Sequence, residues 1–241
     1  MIEPRDRCAV SSTQTAAEEK VSSLGQSERE VGGMVWEACE GTGSLVIDRE
    51  CGQVFAALSK RTSLSLARRF ADAKGLKLVA FRTASRSGKP VYHTNIVLAL
   101  LKGVAVVCAE FIADPDEQKA VLLALGKGKR EVVKISIKQA EQHFCGNVLG
   151  LLAGRRHETG NLLHHGDGGG QREEQQQVMV LSQRAMAGFS EPQLEVLRRH
   201  CRLCPLDIAT IEAVGGGSAR CMVAEIFLPR ARVPKSELPS A

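Results

Sequence analysis

The sequence GGGSARCM, residues 215–222, lies between two apolar runs at 209–214 and 223–228. Three consecutive glycines allow positive φ angles and a close approach of the backbone to another group. A cysteine beside a cation and free backbone amides forms a reactive thiolate readily, which makes Cys221 a candidate nucleophile next to Arg220. The competing interpretation is a glycine-rich turn before a buried cysteine, since free cysteine packs as a small hydrophobe.

Composition restricts the classes of partner. The chain has 241 residues, 44% of them apolar, and a formal net charge of +5. Acidic and basic residues are interspersed and only 4% of residues are aromatic, so neither the basic stripe nor the stacking platform of a nucleic-acid-binding protein is present. The longest apolar runs, such as residues 96–101, are too short to span a bilayer. No nucleic-acid or membrane partner is expected.

The chain contains eight cysteines, and residues 1–20 lack the apolar segment of a signal peptide. Reduced thiols in a cytoplasmic protein are therefore expected. The pair Cys201 and Cys204 has CxxC spacing without a second pair, which favours a coincidence of helix-end spacing over a zinc or redox site.

A strand–strand–helix–strand unit recurs about every 50 residues, and such a unit must pack on its neighbours to bury its faces. The units open near Ser44, Asn95, Asn147 and Ser218. The predicted helices are 63–74, 114–125 and 190–200; the predicted strands are 45–48, 54–58, 76–81, 96–101, 104–112, 131–137, 148–153, 178–183, 204–208 and 221–228. The predicted fold is therefore α/β, with three full units and a single strand of a fourth.

Domain boundaries follow from composition. Residues 1–33 are predicted to be a disordered arm, 34–229 the repeat domain and 230–241 a tail. Within the domain, the insertion 154–177 is polar and glycine-rich, which is typical of a surface loop. Its three histidines, His157, His164 and His165, have no cysteine or carboxylate at ligand spacing, so a solvated loop is preferred to a metal site.

Repeat register brings Glu40, His93, Asn147 and Cys221 towards one place. Cysteine, histidine and carboxylate together supply a nucleophile, a proton shuttle and an orienting anion. A carboxylate also suits a guanidinium ligand through a bidentate pair. Each residue has a structural alternative: Glu40 and Asn147 as turn formers, and His93 as a hydrogen-bonded residue at the end of a strand.

Residues 211–229, IEAVGGGSARCMVAEIFLP, resemble the C-terminal signature of the amidinotransferase and arginine-deiminase superfamily, and most closely its citrulline hydrolases. EGTGSLVIDR at 40–49, YHTN at 92–95, FCGN at 144–147 and LSQRA at 181–185 extend the resemblance over roughly residues 38–229. The resemblance implies an α/β-propeller, the pentein fold, in which five ββαβ modules surround a central site.

The resemblance also implies a mechanism that needs no metal or organic cofactor. Cys221 attacks the carbon of a guanidine or ureido group, His93 protonates the leaving group and then activates water, and Glu40 binds the substrate nitrogens. The residues expected to bind the remainder of this small-molecule substrate are Asn95, Asn147, Arg220, Gly217 and Ser218.

Two departures from the family pattern shape the expectations. Relatives begin with about one further module, which has no counterpart in residues 1–33, so an incomplete propeller is expected. Its exposed sheet edges favour self-association into a homo-oligomer. Asn95 stands where arginine deiminases have aspartate, which favours a neutral ureido substrate such as citrulline.

The leading hypothesis is a hydrolase of linear amidines or ureido compounds. The alternatives are a catalytically impaired relative that acts as a binding module, and an amidinotransferase. A hydrolase admits water to the covalent intermediate and a transferase admits an amine, and the sequence does not separate the two.

Because the insertion 154–177 has almost no apolar face, we expect that deleting most of it barely changes the melting temperature. Thermal unfolding of the deletion variant beside the full chain measures this. A large drop would mean that the segment packs on the domain.

Overall fold

The computed structural model describes residues 37–152 and 177–225, together with the strand residues 30–31 and 34–35. Two short strands, β1 (Glu30–Val31) and β2 (Met34–Val35), pair antiparallel. The predicted tail and all but the last residue of the predicted insertion lie outside the described residues, as do residues 1–29 of the predicted arm. None of the described helices is long and apolar enough to cross a membrane.

Three modules of the same design follow, each with a three-stranded sheet and a crossover helix. In each, the first strand pairs antiparallel with the second, and the second pairs parallel with the third. The elements are β3 (Val46–Asp48), β4 (Gln53–Leu58), α2 (Leu64–Lys74) and β5 (Lys77–Arg82); β6 (Leu98–Leu101), β7 (Val104–Val107), α4 (Pro115–Leu125) and β8 (Glu131–Lys134); and β9 (Leu149–Leu152), β10 (Gln177–Ser182), α7 (Glu191–His200) and β11 (Arg202–Leu206). The predicted α/β fold and ββαβ repeat are confirmed in these modules.

The first strand of the second module contacts the first strands of the other two. Strand β6 contacts β3 on one side and β9 on the other, and all three line a cavity of ≈ 310 Å³. The main hydrophobic core runs through all three modules, from Phe55 and Phe81 to Leu197. Closure into a complete ring and a missing module stay predictions.

Local hydrogen bonds set the helix ends. Asp114 accepts from the backbone N–H groups of Asp116 and Glu117, with Pro115 in the first turn, and Ser190 forms a capping box with Gln193. Both starts were predicted from residue type, because these side chains satisfy amide groups that the helix leaves unpaired.

Several predicted strands overlap short helices. The predicted strand 96–101 begins inside α3 (Thr94–Val97), and the predicted strand 104–112 runs through the 3₁₀ turn Ala109–Phe111. The other short helices of the described residues are α1 (Gly41–Ser44), α5 (Ile137–His143), α6 (Gln183–Gly188), α8 (Ala209–Gly215) and the 3₁₀ turns Lys127–Lys129 and Ala219–Met222. The hydroxyl of Thr94 explains α3, since it donates to Ser44 O at 2.5 Å and accepts from Ala57 N at 2.7 Å. These tertiary hydrogen bonds stabilise a helical turn at residues 96–97, where the apolar sequence pattern predicted a strand. Cys221 accordingly lies in a 3₁₀ turn and not, as predicted, in a strand.

The predicted end of the insertion is wrong by one residue. Gln177 is the first residue of β10 and is 9% exposed. Its side-chain Oε1 accepts from Lys102 N at 2.7 Å, and Nε2 donates to the carbonyls of Lys102 and His200 at 3.1 and 3.3 Å. Gln177 therefore fastens the third module to the hairpin of the second.

A buried ion pair joins the first two modules. Arg130 donates to both carboxylate oxygens of Asp48 at 2.7 and 2.9 Å, and both residues are buried. Burial alone would raise the pKa of Asp48, but the hydrogen bonds and charge of Arg130 outweigh it and lower that pKa. The pair therefore stabilises the fold at pH values above the unfolded pKa of about 3.9, and its contribution is lost as the pH falls through the lower folded value.

We expect Arg130→Met to lower the free energy of unfolding by about 3–5 kcal/mol, because it leaves the Asp48 carboxylate buried without its countercharge. The hydrogen bonds from Cys51 N and Gln53 Nε2 to Asp48 remain. Urea denaturation at pH 7 measures this. Arg199→Met is the matched control, since Arg199 pairs with Glu131 at the surface, and its stability should stay near that of the wild type. Equal effects of the two substitutions would contradict the assignment.

Candidate functional site

Two of the predicted residues occupy equivalent places in consecutive modules. Glu40 is the N-cap of α1 and His93 is the N-cap of α3. Each short helix leads directly into the first strand of its module, so the residue before it lies at the same end of the sheet. The repeat register predicted this equivalence from the sequence.

His93 and Glu40 form a close pair. His93 Nε2 lies 2.6 Å from Glu40 Oε2, with 15% of the histidine side chain and 45% of the carboxylate side chain exposed. A Cβ on Gly43 would lie 2.8 Å from Cε1 of the imidazole. The EGTG sequence is therefore explained by contact, because a residue larger than glycine at 43 would displace the ring from the carboxylate.

Asn147 joins the third module to the glycine-rich loop. Its side chain is buried, and Nδ2 donates to Asn95 O at 3.0 Å and contacts Cys221 Sγ at 3.2 Å. Its Oδ1 accepts from Ser218 N at 3.0 Å and lies 3.4 Å from Cys221 N. One amide group thus fixes both the backbone and the sulfur of the nucleophile candidate.

Cys221 is the exposed thiol among the cysteines of the described residues. Its Sγ lies 3.9 Å from Oδ1 of Asn95, the residue two positions after His93. Burial raises the pKa of the thiols of Cys108 and Cys145 to about 12 and that of Cys201 to about 11. Those three thiols stay protonated and packed. Cys39, Cys51 and Cys204 are partly buried, so Cys221 is the most accessible thiol of the described residues.

Two predicted binding residues have their side chains engaged elsewhere. Arg220 donates to Val223 O at 2.7 Å and pairs with Glu225 at 3.1 Å, so its charge is directed to Glu225. Ser218 is buried and donates to Glu212 Oε1 at 2.6 Å. Its hydroxyl supports the loop, and a role of Ser218 in substrate binding stays a prediction.

Gly217 and Asn95 both contact Cys221. A Cβ on Gly217 would lie 3.0 Å from Cys221 Cβ and 3.1 Å from its Sγ, so the loop folds tightly over the cysteine. Asn95 Nδ2 donates to Thr42 O at 3.2 Å, which turns Oδ1 towards Cys221. Asn95 therefore presents a neutral acceptor beside the thiol.

Three further residues of this region were not found from the sequence. Arg61 lies 3.7 Å from Glu40 Oε2 and over the ring of Tyr92, 5.1 Å from its centroid. Glu212 is buried, accepts a hydrogen bond from the Ser218 hydroxyl and forms an ion pair with Arg184 at 3.3 Å. Tyr92 could have been identified, because it directly precedes His93 in the sequence. Arg61 and Glu212 reach the site through tertiary contacts, which sequence spacing does not reveal.

The described residues form no cluster of three or more metal-ligating side chains. The histidines at 157, 164 and 165 lie outside them. Chemically, the site combines an exposed thiol, an amide that orients it and a histidine–carboxylate pair at the same end of the sheets. That combination suits nucleophilic attack followed by proton transfer.

Solved structures with the same fold come from enzymes of arginine metabolism. The N-terminal domain of ArgZ, an arginine dihydrolase of the ornithine–ammonia cycle in cyanobacteria, bound to substrate as a Cys-to-Ser variant, matches at a TM-score of 0.53 and 14% identity. The match covers 75% of this chain and 54% of that one, so this chain spans about half the length of the ArgZ domain.

A second structure of the ArgZ N-terminal domain, with a covalently bound reaction intermediate, matches at a TM-score of 0.53 and 17% identity. That match covers 79% of this chain and 58% of the ArgZ chain. AgrE in complex with ornithine and NAD⁺ matches at a TM-score of 0.55 and 14% identity. That match covers 80% of this chain and 23% of the AgrE chain. At these identities the likeness establishes the pentein fold. The comparison with curated proteins found no match.

The family comparison covers nearly the whole chain. A profile described as N,N dimethylarginine dimethylhydrolase, eukaryotic, matches residues 10–228. This confirms the superfamily inferred from the glycine-rich loop and the EGTGS and HTN motifs. The chain belongs to the eukaryotic N,N-dimethylarginine dimethylhydrolase family, within the pentein superfamily of amidinotransferases and arginine deiminase-related proteins.

Proposed function

We propose that this protein hydrolyses a C–N bond of a linear guanidino or ureido compound through a covalent cysteine intermediate. The observation that carries the proposal is the exposed Cys221 thiol, fixed by Asn147 at the end of the sheets that also holds the His93–Glu40 pair. Family membership supports the reaction class, since its relatives are hydrolases named for dimethylarginine.

In the first half-reaction the Cys221 thiolate adds to the electrophilic carbon, and a C–S bond forms. His93 donates a proton to the departing nitrogen as the C–N bond breaks. Water then loses a proton to His93 and adds to the same carbon, and the C–S bond breaks to restore the thiolate. The ArgZ domain with a covalently bound reaction intermediate supports a covalent step in this fold.

The role of Glu40 is closer to the orienting anion expected from the residue types than to the substrate binding that the family resemblance implies. With Nε2 of His93 at 2.6 Å, its carboxylate orients the imidazole. Its exposed fraction leaves room for a substrate nitrogen on the other side. We therefore assign Glu40 first to His93 and second to the substrate.

Asn95 favours a neutral substrate. Its Oδ1 lies beside Cys221 and carries no charge, so it offers a guanidinium no ion pair. A ureido compound such as citrulline therefore fits this position better than a guanidinium compound such as arginine or dimethylarginine. The need for a reduced Cys221 agrees with the proposed cytoplasmic location.

The reaction is tested by incubating the protein separately with citrulline, arginine and N,N-dimethylarginine. Ammonia and ornithine, or citrulline and dimethylamine, are then measured. We expect the largest kcat/KM for citrulline and no turnover by Cys221→Ser. Asn95→Asp should shift the preference towards the two cationic substrates. Turnover that survives Cys221→Ser would contradict the proposed nucleophile.

We expect His93→Ala to lower kcat by about 10²–10⁴-fold, the usual contribution of a general acid–base group, while the protein stays folded. Steady-state kinetics with the preferred substrate measure this. His200→Ala is a matched control, since His200 pairs with Glu131 at 3.0 Å on a different surface. A loss of activity that is equal in both variants would refute the role of His93.

A further inference from the structure

Tyr92 connects the two halves of the site. Its hydroxyl donates to Gly216 O at 3.1 Å, across 124 residues of sequence. The next residue is His93, whose ring meets that of Tyr92 edge-on with centroids 4.9 Å apart. The same two-residue segment therefore contacts Glu40 through one side chain and the glycine-rich loop through the other.

The glycine-rich loop needs an external tether at this point. Gly216 has a φ of 69°, and a Cβ on Gly215 or Gly216 would meet nothing within 4 Å. Consecutive glycines also carry the largest backbone entropy. Asn147 and Glu212 hold the loop at Ser218, on the side of Cys221. Tyr92 binds it two residues earlier, from the module that carries His93.

The tyrosine ring is itself fixed. The Arg61 guanidinium lies over it, 5.1 Å from the ring centroid, and also contacts Glu40. Burial and the nearby Cys221 raise the pKa of Tyr92 above its ordinary value, so the hydroxyl stays protonated and able to donate near neutral pH. Both the position and the protonation of the donor are thereby maintained.

We propose that Tyr92 is a positioning residue, which holds the nucleophile loop, residues 215–221, in place relative to His93 for the reaction proposed above. Its hydroxyl fixes the loop carbonyl, and its ring packs against the histidine. Movement of the loop is thus coupled to the segment that supplies the proton.

Tyr92→Phe removes the hydroxyl and keeps the ring, so it tests this role directly. Loss of one hydrogen bond should increase the open population of the loop by about threefold to tenfold. We expect amide hydrogen exchange at Gly216, Ser218 and Cys221 to accelerate by that factor, with exchange in β4 and β7 unchanged. Unchanged exchange in the loop, or acceleration throughout the protein, would overturn the proposal.

Kinetics separate positioning from simple stability. In Tyr92→Phe we expect kcat to fall about threefold to tenfold, with KM and melting temperature unchanged, and 2-chloroacetamidine to alkylate Cys221 more slowly by the same factor. Ser87→Ala, which removes an exposed hydroxyl contact with Ser85, should change none of these quantities. A rise in KM at constant kcat would contradict positioning. If the wild type turns over no tested substrate, the proposed function fails while hydrogen exchange still decides the role of Tyr92.

Discussion

The site depends on the side-chain amide of Asn147. With almost no exposure to solvent, this amide group bonds Asn95 in the second module, Ser218 in the loop and Cys221 at its sulfur. A buried amide left without these partners would cost about 1–3 kcal/mol. The position of the thiol is therefore tied to the packing of two modules, and an accurate site requires their correct association.

Much of the site could be predicted because repetition carries positional information. Glu40 and His93 lie before equivalent short helices, and Cys221 contacts Asn147, as register suggested. Asn95, expected from the family resemblance, contacts both Cys221 and Asn147. Roles were harder to predict than places. Glu40 was expected both as an orienting anion and as a substrate binder, and its close contact in the structure is His93. Sequence spacing could not decide between the two roles, because it does not show the direction of a carboxylate.

The fold was predictable where local chemistry decides it and less so elsewhere. Asp114 and Ser190 predict the starts of their helices, because residues of these types cap helix N-termini. The turn at Thr94, in contrast, is stabilised by hydrogen bonds to Ser44 and Ala57 of another module. Arg61 and Glu212 likewise belong to the site through tertiary contacts. Apolar pattern cannot report such contacts, since their partners are set by tertiary packing.

In every module the site residues precede the first strand, while the hairpin turn follows it. The two lie at opposite ends of the sheet, and the hairpin between β9 and β10 is the one that accommodates residues 153–176. Chain length can therefore change at one pole of the domain without altering geometry at the other. A reporter inserted between β9 and β10 would therefore lie at the end of the sheet opposite Cys221 and His93.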